Sequence, residues 1–171
     1  VDDLRQLIRE VPDFPAQGIL FRDITPLLRD AAGLSRAIEG VADLFRDDRV
    51  DLVAGIESRG FILGAPLATA LGVGFVPIRK LGKLPGETIG RSYFLEYGEN
   101  HLEMHRDAIR SGERVLLVDD LLATGGTARA AAELIEELGG AVVGPGFLVE
   151  LTALEGRAQL ARYTPRSLLD Y

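Results

Sequence analysis

Cysteine is absent from this 171-residue chain, which excludes disulfides and thiolate zinc sites and leaves the redox compartment open. Also missing is any apolar run near the roughly 20 residues that a membrane-spanning helix needs. The opening stretch VDDLRQLIRE is charged and amphipathic, unlike a secretory signal, so a cytoplasmic protein is expected. Positive charge is in deficit as well. The formal net charge is -7, whereas a nucleic-acid binder neutralises many phosphates with clustered Lys and Arg. Lysine is scarcer still: only two of the 19 basic residues are lysines, Lys80 and Lys83, and both fall in the Gly/Pro-punctuated segment RKLGKLPGETIG. Any anionic ligand must therefore be met locally.

What the chain does have is a hydrophobic content of 47% with mixed charge, which fits one globular domain over residues 1–171. Apolar residues at Leu4, Leu7, Ile8 and Val11 recur at helical spacing and predict a short helix stopped by Pro12. The proline-rich stretch 13–26 reads as a loop, and 31–46 returns to helical periodicity through Leu34, Ile38, Val41, Leu44 and Phe45. DLVAGI (51–56) reads as a buried strand, Phe61 to Leu71 as a helix ended by Gly72, and GFVPIR (74–79) as a strand. Residues 80–90 form a long flexible connection, after which RSYFLEYG and HLEMH are expected to make a covering hairpin. RVLLVDD is a strand, Gly126 to Leu138 an Ala-rich helix, AVVGPGFLVEL a strand and 153–161 a last short helix. Alternating strands and helices with buried β-branched runs imply an α/β fold whose central, mostly parallel sheet is flanked by helices on both faces.

In such a sheet ligands bind beyond the carboxyl ends of the strands, and the string VLLVDDLLATGGT (115–127) places Asp119 and Asp120 at one of them. Behind these acids ATGGT feeds into a helix. Free amide hydrogens, the positive helix end and close approach at glycine favour a phosphate there, with hydroxyls from Thr124 and Thr127. It is not a Walker loop, because Gly126 is followed by Thr127 and Ala128, and the glycines at 72 and 74 do not make a dinucleotide fingerprint. The alternative is an ordinary strand-to-helix turn with acids near its N-cap. GIESRGF (55–61) is a second loop at a strand end; Ile56 stands where a hydrolase elbow would need glycine. His101 and His105 lie four apart, but Leu102 stands where a zincin motif requires Glu, so both are expected to face solvent from one side of a strand.

The thirteen-residue string resembles the binding motif for phosphoribosyl pyrophosphate (PRPP) that marks the type I phosphoribosyltransferases. DFPAQGILFRDITPLL, GIESRGFILGAPLA, IRKLGKLPGET, YFLEYG and VELTALEGRAQL resemble, in order and spacing, the branch of that family whose acceptor is adenine. The resemblance implies the type I fold with a small N-terminal hood from about residues 1–30 and a flexible active-site loop at about 80–105. It further implies transfer of phosphoribosyl from PRPP to adenine, with Mg²⁺, in a homodimer. By the same carry-over Asp119 and Asp120 face the ribose hydroxyls and help hold the metal, chiefly through water, while Ala123, Thr124, Gly125, Gly126 and Thr127 wrap the 5-phosphate. Glu57, Ser58 and Arg59 form the pyrophosphate loop, which in this family often carries a non-proline cis peptide. Arg79, Lys80 and Lys83 become cations for the leaving pyrophosphate, one of them able to serve the partner subunit. Glu96 becomes the candidate general acid/base on the mobile hood, with Tyr97 beside it sealing the site and Glu103 a weaker rival. The Leu20 main chain and the Arg22 region read the purine edge, Phe21 stacks on its face and Leu151 packs opposite. A PRPP-sensing regulator without catalysis is the alternative, but such regulators carry a DNA-binding domain, and the first 50 residues show no basic recognition helix.

Overall fold

The computed structural model describes residues 2–95 and 98–171. It opens with a single helical turn, α1 (Asp2–Arg5), and a strand, β1 (Arg9–Pro12), that pairs antiparallel with β2 (Leu20–Asp23). This corrects two sequence expectations, a continuous helix up to Pro12 and a bare loop over 13–26. Leu4 and Ile8 are buried, as helical spacing suggests, but Val11 lies opposite Phe21 in a ladder. The connection turns through a cis Phe14–Pro15 bond and Gly18 at φ 85°, with the Gly18 amide donating to Asp13 Oδ1 at 2.7 Å. Local ladder pairing outweighs a pattern too short to carry a helix alone.

Next come α2 (Thr25–Arg29) and α3 (Ala31–Leu44), the latter capped by the Asp30 carboxylate, which accepts from the Gly33 amide at 2.6 Å. The repeating part is β3 (Leu52–Ile56), α4 (Arg59–Leu71) and β4 (Gly74–Lys80), with Gly72 closing α4 in the left-handed conformation that glycine adopts without a Cβ penalty. A hairpin follows, β5 (Thr88–Leu95) and β6 (Gly98–His105), and then β7 (Arg114–Leu122), α5 (Gly126–Glu137) and β8 (Ala141–Glu150). The last helix expected over 153–161 is instead three short pieces, of which only α6 (Gly156–Gln159) is α-helical. The chain then closes with an unforeseen strand, β9 (Arg166–Asp170). Arg166, Ser167 and Asp170 break up its apolar signal, because it lies at the sheet edge.

The main sheet has the order β5-β6-β4-β3-β7-β8-β9, parallel from β4 through β9 and antiparallel where β6 joins β4 and β5. Both faces are covered, which is why the central strands are apolar throughout. Val115 and Leu117 face a cluster built on the alanines of α5, whereas Leu116 and Val118 face one built on α3 and α4. The carboxyl ends of β3, β4, β7 and β8 consequently lie along one edge.

Candidate active site

The residues singled out at the ends of β3 and β7 meet in one cleft of about 360 Å³. β7 supplies Asp119 and Asp120, the turn after β3 supplies Glu57, Ser58 and Arg59, and Thr127 enters from the start of α5. The Glu57–Ser58 peptide is cis. The start of α4 touches β7 at Gly60, where a Cβ would stand 2.9 Å from the Val118 carbonyl oxygen and 3.0 Å from Asp119 Oδ1. Only glycine admits that approach.

Asp120 is buried and pairs with Arg59, Nε to Oδ2 at 3.0 Å; its own amide donates to Asp119 Oδ1 at 2.9 Å. Burial pushes the Asp119 carboxyl well above the usual carboxylate range, and the adjacent Asp120 charge adds to it. Burial raises Asp120 too, opposed by the Arg59 guanidinium. Glu57 behaves oppositely: the Arg79 fork and the Lys80 amide hold its carboxyl below the ordinary value. Ligand hydroxyls or a hydrated cation at the Asp119–Asp120 mouth would therefore favour ionised forms that burial disfavours. Among the described residues no three His, Asp or Glu side chains converge as a metal site.

Arg79 is committed elsewhere. Its Nε and Nη2 donate to Glu57 at 3.2 and 2.9 Å and its Nη1 to the Lys83 carbonyl at 3.1 Å. Lys80 lines the cleft; Lys83 is exposed and does not. Beyond β7, no side chain caps α5, and Gly125 precedes it at φ 84°. Its first amides are thus left to a ligand at the positive end of the helix dipole, beside Ala123, the exposed Thr124, Gly126 and Thr127.

Phe21 of β2 packs edge-on against Phe14 with centroids 5.1 Å apart and has the Arg59 guanidinium 5.6 Å from its centroid. Arg59 therefore joins the β2 region to the acids of β7. The Arg22 side chain is engaged by Glu10 and lies 4.2 Å over the Tyr171 ring, so only its main chain is free of these contacts. Leu20 is 42% exposed and available to a ligand. Leu151 is half-buried and donates its amide to the Leu122 carbonyl at 2.9 Å.

Glu96 and Tyr97 lie outside the described residues. From the flanking hairpin the cleft gains Tyr93 and Asn100, directly opposite each other across β5 and β6. Sequence reasoning missed both; the covering hairpin was its only signal. Glu103 is buried and accepts from the Gly82 amide at 2.8 Å, which ties down the connection after β4. Both histidines are partly exposed, with His101 Nδ1 2.8 Å from Ser92 Oγ and His105 Nε2 2.8 Å from the Pro85 carbonyl oxygen.

Two adjacent acids, an uncapped helix start and a turn carrying arginine, set at neighbouring strand ends, define a class of site for phosphorylated sugars. The family model for the phosphoribosyl transferase domain matches residues 25–161, and the chain belongs to that family. An adenine phosphoribosyltransferase of Solibacter usitatus is 59% identical over 99% of this chain and 98% of its own length. The crystal structure of adenine phosphoribosyltransferase from Thermoanaerobacter pseudethanolicus superposes with a TM-score of 0.97 at 53% identity, covering 99% of both chains. The Saccharomyces cerevisiae enzyme, solved with an imino-altritol bisphosphate and adenine, gives 0.90 at 40% identity, over 97% of this chain and 95% of that one. Within its family the chain falls among the adenine phosphoribosyltransferases.

Proposed function

We propose that the chain transfers the phosphoribosyl group of PRPP to adenine, forming AMP and pyrophosphate in purine salvage. The observation that carries this reading is the pairing across Gly60 of two unlike strand ends, acids beside an uncapped helix start and a turn carrying Arg59. The bond from the ribose anomeric carbon to pyrophosphate oxygen breaks, that to adenine nitrogen forms, and the purine imidazole gives up a proton. A transition state of oxocarbenium character suits Asp119 and Asp120, whose carboxylates accept from the ribose hydroxyls and offset positive charge on the ring. The turn from Ala123 to Thr127 holds the 5-phosphate through main-chain amides and the Thr124 and Thr127 hydroxyls.

Magnesium fits this donor set. Two adjacent carboxylates, with no third His, Asp or Glu converging on them among the described residues, would suit a hard cation that keeps most of its water. Bound with PRPP, it supplies charge neutralisation to the departing pyrophosphate. Ser58, Arg59 and Lys80 meet that pyrophosphate directly. Arg79 acts by fixing Glu57 and the connection that carries Lys83. Phe21 stacks on the adenine face, the Leu20 and Arg22 main chains read its amino edge and Leu151 packs opposite. Glu96 manages the imidazole proton while Tyr97 excludes water.

Incubation with PRPP, Mg²⁺ and single nucleobases should yield a nucleotide only with adenine; equal or better use of hypoxanthine, xanthine or orotate would overturn the assignment. The working unit is a cytoplasmic homodimer, for which light scattering should return about twice the 18.5 kDa chain mass.

A further inference from the structure

The segment ALEGRAQL (153–160) contributes no side chain to the cleft, yet its main chain lies against the phosphate turn. A Cβ at Gly125 would run into the Gly156 carbonyl oxygen, and one at Gly156 into the Ala123 carbonyl oxygen. The two backbones are thus in direct contact, and the Arg129 guanidinium of α5 donates to Gln159 Oε1 at 2.8 Å. An ion pair also anchors α6 to the end of β8. Glu150, almost wholly buried at the end of β8, lies opposite Leu122, the residue before the phosphate turn. Its carboxylate accepts from Arg157 Nε at 2.7 Å, Arg157 Nη2 at 2.6 Å and Ser167 Oγ at 2.7 Å. Arg157 Nη1 donates to the Pro165 carbonyl at 2.7 Å. A planar fork with each donor placed fixes the turn that carries Gly156 in a way a flexible ammonium does not.

We infer that Glu150 and Arg157 are positioning residues for the 5-phosphate. They touch no substrate, but by pinning α6 they set the backbone that the phosphate turn leans on. Rigid shells of this kind hold binding groups in place to within fractions of an ångström. The inference rests on the placement of the 5-phosphate at residues 123–127, and the probe is chosen to separate the two.

The test is titration of ribose 5-phosphate by calorimetry, with steady-state kinetics, on the full chain and on Arg157→Lys. Ribose 5-phosphate affinity is expected to fall, and KM for PRPP to rise, by about 10-fold, while KM for adenine stays within about twofold. Should Arg157→Lys not fold, the isosteric Glu150→Gln carries the same expectation. Unchanged ribose 5-phosphate affinity, or a KM for adenine that rises in step with that for PRPP, would overturn it. Failure of the parent protein to bind ribose 5-phosphate would remove the phosphate placement itself and this inference with it.

Discussion

On the parallel side of the sheet, Asp119 and Asp120 stand on a strand buried on both faces, and the Gly60 contact fixes their distance from the Glu57–Arg59 turn. On the antiparallel side, Tyr93 and Asn100 come from a hairpin tied to α5 by partly exposed ion pairs, Arg91 to Glu133 at 3.1 Å and to Glu137 at 3.0 Å. The β1 and β2 strands are joined to each other by Arg9 to Asp23 and Arg22 to Glu10. These outer elements also leave Phe14, Leu20 and Phe94 exposed. Half of the site is therefore placed by close-packed backbone. The other half stands on a hairpin whose Ile89, Leu102 and Met104 join the core but whose ties to α5 are pairs worth little individually in water, and the exposed apolar side chains of these outer elements are free to cover a ligand.

The division predicts where substitutions hurt and how. The largest effect is expected from Glu96→Gln, which should lower kcat by about 10²–10⁴-fold with little change in PRPP affinity; single-turnover and binding measurements check it, and an intact kcat would take Glu96 out of the mechanism. On the parallel side Gly60→Ala forces the two strand ends apart and should cost about 10²-fold in kcat/KM; thermal melting of the same variant should show the fold retained.

A smaller and opposite effect is expected for Asp119→Asn in stability. The folded-state pKa of Asp119 is raised, so its favourable contribution is complete below the ordinary aspartate value of 3.8 and is lost as pH rises through the folded value. At pH 7 the unfolded chain, where this carboxyl ionises freely, gains over the fold that buries it, so the amide should raise Tm of the ligand-free protein by roughly 2–4 °C while activity falls. The gain should fade as pH approaches 4. Smallest of all, Arg91→Ala removes two partly exposed pairs and should lower Tm by less than about 2 °C. A loss much larger than that would show the hairpin to be as firmly set as β7.

Legibility in the sequence followed the same division. The run Val115–Val118, the glycine stop at Gly72 and the alanines of α5 each carry a periodic or capping signal strong enough to read alone, and the parallel sheet follows from them. β1, β2 and β9 were missed because four- and five-residue strands with charged members have no periodicity to detect. For the site, strand-end reasoning led to Asp119, Asp120 and the Glu57–Arg59 turn, which do share a cleft. Tyr93, Asn100 and the Glu150–Arg157 pair depend on which strands become neighbours, and no local pattern encodes that. Likewise, nothing in RKLGKLPGET tells that Arg79 turns back onto Glu57 while Lys80 faces the cleft.

Gly60, finally, gives the cleft a calibrated length. With no side chain between β7 and the start of α4, the spacing between the Asp119–Asp120 acids and the Glu57–Arg59 turn is a property of the main chain rather than of rotamers. On the proposed reading such a gauge favours a ligand that reaches both, so a sugar phosphate without its diphosphate would engage only part of the cleft.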